Sequence, residues 1–184
     1  KLLGQSTSKE VASQLWEQKE YIIKDGKFPG KELDVTIIFS DIVGFTTISE
    51  SMQPDQLLSW INIGMDKFVS TIIDNGGMLN KFTGDGFLAV FGAPVSQDQQ
   101  LNSCLAMDSA LKIKDQLNEI SSNFKKENLP EMKLRIGIHS GKIVAGSMGC
   151  SKRIEYAVLG DTVNVASRLE SLNKEICLLY TSDA

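Results

Sequence analysis

"DVTIIFSDI", residues 34–42, sets apolar β-branched side chains at consecutive positions rather than alternate ones. A strand of that pattern is covered on both faces and belongs in the middle of a sheet. Its neighbours decide what kind of sheet. Leu57, Leu58, Ile61, Met65, Phe68, Val69, Ile72 and Ile73 recur at three- and four-residue intervals between Pro54 and Asp74, and "NGG" at 75–77 ends the pattern, which predicts a long amphipathic helix. "MLNKFT" (78–83) and "FLAVFG" (87–92) read as two short strands around Gly84, Asp85 and Gly86. Asp-Gly in such a turn is a strong hairpin signal and needs no function to explain it.

Residues 97–127 predict a second long helix, with Leu101, Leu105, Ile113, Leu117, Ile120 and Phe124 inward, ending before Pro130. "KLRIGIHSGKIVAG" (133–146) is an alternating stretch broken by glycines, so it predicts either one strand that bends or two strands around "SGK". "IEYAVLG" (154–160) adds a strand, and "DTVNVASRLESLNK" (161–174) a helix capped by Asp161. The order is that of an α+β protein with a ferredoxin-like βαββαβ core and a further strand and helix appended. Upstream, Ser8 is placed to cap a short helix carrying Val11, Leu15 and Trp16, and polar residues then form a linker up to residue 32.

A chain of 184 residues, 42% hydrophobic, suits one domain with a full core. Its 19 Lys plus Arg against 23 Asp plus Glu, with no basic run, argue against a nucleic-acid partner. Cys104, Cys150 and Cys177 are odd in number and widely spaced, which speaks against a disulfide scaffold or zinc knuckle and for an intracellular, cytoplasmic chain. No apolar run approaches the roughly 20 residues that a membrane span needs, although a longer protein could still tether this piece to a membrane.

Chemistry enters with two acids. In a βαββαβ sheet the first strand lies beside the hairpin, so Asp41 at its end and Asp85 at the hairpin tip share one small volume. Like charges that close are costly unless a cation neutralises them, and hard oxygen ligands favour magnesium or manganese. Directly after Asp41, "IVGFTT" is a strand-to-helix turn in which Gly44 admits a close approach and the amides of Phe45 and Thr46 point out at a positive helix end, an arrangement suited to phosphate. An ordinary turn capped by Thr46 or Thr47 is the plainer reading of that segment alone. Neither a P-loop nor a dinucleotide fingerprint is present, and His139 next to Ser140 points to the opposite face of its strand, which argues against a Ser-His nucleophile pair. Arg135 is a cation on an otherwise apolar strand, and Asn164 and Arg168, four residues apart, share one helix face.

"VTIIFSDIVGFTTISE", "GGMLNKFTGDGFLAVFG", "LRIGIHSGKIVAG" and "GDTVNVASRLE" resemble the catalytic domain of class III adenylyl and guanylyl cyclases, in the right order from about Leu33 to Asn173. The resemblance implies conversion of a nucleoside triphosphate to its 3′,5′-cyclic monophosphate and pyrophosphate, with two Mg2+ or Mn2+ ions at each site. Asp41 and Asp85, with the carbonyl of Ile42, would hold the ions. Phe45 and Thr46, beside Gly44, would present amides to phosphate, and Arg135 would add charge at the leaving group. Asn164 would orient the ribose and Arg168 would stabilise charge on the transferring phosphorus, both supplied by the second subunit of a homodimer. Lys81 matches the purine-reading position, a lysine in adenylyl cyclases, which makes ATP the expected substrate. On a regular strand it would share a face with Asp85.

Two departures stand out. Ala157 replaces the Asp or Thr expected to meet the adenine amino group, and losing such a hydrogen bond costs roughly 0.5–1.5 kcal/mol. "EICLLYTSDA" does not resemble the last strands of the family, so residues 33–175 are expected to form the catalytic domain and 176–184 a truncated or non-native end. Within the N-terminal helix and linker of residues 1–32, "GQSTSKEVASQLWEQ" (4–18) resembles the segment linking such domains to upstream sensors. Competing readings are a guanylyl cyclase and a degenerate module that dimerises and senses nucleotide without turnover.

Overall fold

The computed structural model describes residues 28–150 and 153–175; the expected upstream helix and the expected departure after residue 175 lie outside them. Its elements are β1 (Lys31–Ile42), α1 (Phe45–Ser51), α2 (Pro54–Asp74), β2 (Met78–Phe82), β3 (Phe87–Phe91), α3 (Gln99–Lys126), β4 (Leu134–Cys150), β5 (Arg153–Leu159) and α4 (Asp161–Glu175). The five strands form one antiparallel sheet in the order β2-β3-β1-β4-β5. β1 is the middle strand, as its unbroken apolar run requires, and the first four strands have the 2-3-1-4 arrangement of a ferredoxin-like core.

β1 buries its two faces against different partners. Ile38 and Ile42 join Phe87, Ala89 and Phe91 of β3 beneath α2 and α3, which contribute Trp60, Phe68, Ile72, Ile113 and Phe124. Each such fully buried side chain stabilises the fold by about 1.5–3 kcal/mol. Leu33, Val35 and Ile37 face the other way, into a smaller cluster with Leu88, Val90, Ile143, Ala145 and Ala166 of α4.

Local chemistry sets the helix ends. Pro54 opens α2 with Asp55 in its first turn, and Asn75 ends it with its amide on the Thr71 and Ile73 carbonyls. The side chain of Asp98 accepts from the Leu101 amide to cap α3. Leu101 itself is 48% exposed, against the inward position expected for it, because the buried stripe of α3 runs through Asn102, Ala106, Ser109 and Ile113 instead. Asp161 is the first residue of α4 rather than its cap.

β4 is a single strand of 17 residues. Its first part pairs with β1, from Leu134 opposite Ile42 to Ala145 opposite Lys31, and its end, from Val144 onward, pairs with β5. The Asn80 side chain on β2 donates to the Tyr156 carbonyl on β5 at 3.0 Å, so the sheet curls until its two edge strands touch. α4 packs directly on β4, where a Cβ on Gly137 would lie 2.2 Å from the Ala166 carbonyl oxygen and 2.4 Å from the Glu170 nitrogen. Thr162 donates to the Lys142 carbonyl and Asn173 to that of Ile136, pinning both ends of the helix. Among the described residues no helix is long and apolar enough to cross a membrane.

Candidate active site

The end of β1 and the β2–β3 turn converge because Gly86 has no side chain. A Cβ there would sit 1.8 Å from the Ser40 carbonyl oxygen and 2.9 Å from the Asp41 Cα, so any other residue would drive the turn off the strand. Glycine lets the turn close, and Asp85 arrives beside Asp41, the two carboxyls within hydrogen-bonding reach. Burial pushes the Asp41 carboxyl above its ordinary range, the Asp85 charge pushes it further, and Arg135 opposes both. The pair thus carries negative charge that a single guanidinium offsets only in part.

Arg135 lies opposite Asp41 in the β1–β4 register. One terminal nitrogen of its guanidinium donates to Asp41, and its Nε donates to Glu170 on α4 at 2.6 Å. With its side chain only 13% exposed, burial works against its charge, but Glu170 first and then Asp41 outweigh that and hold its pKa above the ordinary value. Glu170, with 7% of its side chain exposed, also accepts from the Ser171 hydroxyl at 3.1 Å. Sequence reasoning missed Glu170. Its signal was present: Thr162, Ala166 and Glu170 recur every fourth residue, the stripe that α4 turns to the sheet, and an arginine on an apolar strand calls for a buried acid.

The turn after Asp41 begins α1, with Gly44 at its N-cap at φ 70° and no side-chain cap from Thr46 or Thr47. The first helical hydrogen bond runs from the Ile48 amide to the Gly44 carbonyl. The amides of Phe45 and Thr46 therefore have no acceptor within the helix. Phe45 packs partly into the core, whereas Thr46 is exposed.

Asn164 and Arg168 are exposed, on the side of α4 opposite Thr162, Ala166 and Glu170. At 100° per residue, Asn164 lies about 200° around the helix from Thr162. The structure therefore gathers Asp41, Asp85 and Arg135 into one place and turns Asn164 and Arg168 away from it. Lys81 is exposed on β2 and Ala157 half-buried on β5, and the Asn80–Tyr156 hydrogen bond draws their two segments together across the curled sheet. The expected common face for Lys81 and Asp85 does not follow from strand alternation, because the ladder shifts between Leu79 and Lys81 and β2 ends at Phe82. His139 faces Ile37 in the register.

The neighbouring carboxyls of Asp41 and Asp85 are hard oxygen donors of the kind that suit a divalent cation, and the Ile42 carbonyl is the next backbone oxygen along the chain. Among the described residues no group of three His, Cys, Asp or Glu side chains could hold a metal alone. The profile of the Adenylate and Guanylate cyclase catalytic domain matches residues 30–181. The chain belongs to this family. Adenylate cyclase 1 of Rhizobium meliloti is 37% identical to this cyclase domain over 156 residues, which are 83% of this chain and 23% of that protein. The guanylyl cyclase Cya2 superposes with a TM-score of 0.73 at 34% identity, covering 78% of this chain and 72% of that one. The adenylyl cyclase CyaB of P. aeruginosa superposes with a TM-score of 0.76 at 27% identity, over 79% and 74%. Both kinds of cyclase thus share the α+β fold of this domain.

Proposed function

We propose that the domain is an adenylyl cyclase acting as a homodimer, converting ATP to 3′,5′-cyclic AMP and pyrophosphate in intracellular signalling under an upstream regulatory domain. The ribose 3′-oxygen attacks the α-phosphorus, the bond to the bridging β-phosphate oxygen breaks, and the hydroxyl proton leaves to solvent. Bound Mg2+ or Mn2+ supplies acidification of that hydroxyl and neutralisation of the leaving pyrophosphate. Asp41, Asp85 and the Ile42 carbonyl hold the ions at the end of β1. The amides of Phe45 and Thr46 take phosphate oxygens, and Arg135 offers its charge to the leaving group.

The observation that carries the reading is the division of the chain into two half-sites. The acids converge on one side of α4, while Asn164 and Arg168 project from the other, next to the exposed Leu172. A second copy, related by a twofold axis, would bring its Asn164 to the ribose and its Arg168 to the phosphorus, where the developing charge makes a guanidinium worth most. Lys81 and Ala157, on the same curled edge, would read the purine, and Lys81 as a donor suits adenine N1.

The test is incubation with ATP or GTP and Mg2+ or Mn2+, reading cyclic product. ATP should be preferred, and Asp85→Ala should lower turnover on the order of a thousandfold, the several kcal/mol that metal-held charge stabilisation supplies. Undiminished turnover in that variant would overturn the metal role. The guanylyl reading draws on Ala157, whose methyl group offers adenine no hydrogen bond, and a preference for GTP would establish it.

A further inference from the structure

The Arg135 guanidinium is held as a fork, with Nε on Glu170 and one terminal nitrogen on Asp41. It is almost enclosed, and Glu170 more so. The Asp41 oxygen that it occupies belongs to the carboxylate expected to ligate the divalent ions. One oxygen cannot serve a guanidinium and a hard cation equally, because both draw on the same lone pairs and the two positive charges repel.

We infer that Arg135 is a built-in counter-cation that competes with the divalent ion for Asp41, and that Glu170 sets the strength of this competition by holding the other edge of the guanidinium. When a divalent ion takes Asp41, Glu170 keeps the Nε edge in place, and the released terminal nitrogen remains beside the site instead of swinging into solvent. Arg135 thereby guards two adjacent carboxylates against their own repulsion before the ion arrives. Glu170 is a positioning residue: it acts through Arg135. This inference rests on the proposed metal role of Asp41 and Asp85 and goes beyond it.

The sign of two substitutions separates this arrangement from a purely structural ion pair. Arg135→Gln removes the competitor and one positive charge, so divalent-ion affinity should rise. Glu170→Gln leaves the guanidinium with Asp41 as its one carboxylate partner and removes a negative charge, so affinity should fall. Each shift should be about fivefold or more, in opposite directions. The measurement is titration of the purified chain with Mn2+ alone, without nucleotide, following the loss of the free-ion electron paramagnetic resonance signal. Asp85→Asn serves as reference: if it leaves Mn2+ binding intact, the metal reading itself fails. If it weakens binding while Arg135→Gln and Glu170→Gln shift affinity in the same direction or not at all, the competition is overturned and the metal site stands. Should Glu170→Gln fail to fold, Arg135→Gln decides alone, and unchanged or weaker Mn2+ binding in it overturns the inference. Recovery of wild-type affinity in Glu170→Asp would support the positioning role, since that variant keeps the charge.

Discussion

The two faces of β1 end in neighbouring residues with opposite fates. Ile42 is 1% exposed beneath the helical layer of α2 and α3, and Asp41, one residue earlier, points to the other face, where its half-buried carboxyl meets Arg135 and Asp85. The helical face carries the larger apolar cluster, with Trp60 donating its indole N–H to the Pro130 carbonyl at 2.9 Å, and the polar groups buried on it, Thr36, Ser40 and Asn102, are uncharged. The α4 face is apolar only under the middle of the helix; toward the end of β1 it becomes a charged cluster set on close-packed glycine. The first face provides stability that the second can spend on holding like charges together. The charged candidate site lies on the α4 face alone, at the end of β1.

The sharpest way to break this contrast is to ask whether the α4 face is self-sufficient. Asp85→Ala and Arg168→Ala should each be inactive as homodimers. Mixed in equal amounts and allowed to exchange, half the dimers become mixed, each with one intact site of two. The mixture should recover about a quarter of wild-type turnover. No recovery, with exchange verified by tagged subunits, would mean that Arg168 serves the Asp85 of its own chain.

A second break acts on packing. Gly137→Ala sets a methyl group against the Ala166 and Glu170 backbone, where neither atom is the movable end of a side chain. Overpacking of that kind typically costs about 1–3 kcal/mol, and rigid backbone on both sides places this case at the upper end. Thermal unfolding should show a fall of several degrees, and divalent-ion affinity should change with it as Glu170 is pushed from Arg135. Gly30→Ala is the comparison, since its Cβ would meet only Val144 at 4.0 Å, and it should shift stability by less than about 0.5 kcal/mol.

What could be read in the sequence divides along the same line. β1 and α2 were legible because their cause is local: an unbroken β-branched run, and an apolar period opened by Pro54 and closed by Asn75. The two acids were legible because their elements are adjacent in the sheet. Glu170 and Asn80 were not, since each is defined by a partner far along the chain, Arg135 for one and the Tyr156 carbonyl for the other. The unity of β4 was hidden for a related reason. Its glycines look like strand breaks, yet Gly137 and Gly141 are where α4 lies against the strand, and a Cβ on the second would meet the Thr162 hydroxyl at 2.7 Å. Exposed Leu101 shows the converse, an apolar residue that lies about 100° around the helix from fully buried Asn102, off the stripe that meets the sheet.

The smallest expected effect probes the far end of the α4 face, where the sheet curls. Tyr156 packs edge-on against Phe28, ring centroids 5.3 Å apart, and its burial pushes the phenol from 10.0 up to about 12. A raised folded-state value means that the native state resists ionisation more than the unfolded chain does. The corresponding stability is fully present below pH 10.0, falls as the unfolded phenol ionises, and is lost by about pH 12. With Tyr21→Phe and Tyr180→Phe removing the other two tyrosines, the phenolate absorbance should titrate near that upper value. Tyr156→Phe in the same background should remove the phenol's contribution to the alkaline decline while leaving stability at neutral pH little changed. An ordinary titration near 10 would mean that the curled edge opens to water. In that case the contact between β2 and β5, and with it the pairing of Lys81 and Ala157 as one purine-reading edge, would not persist in solution.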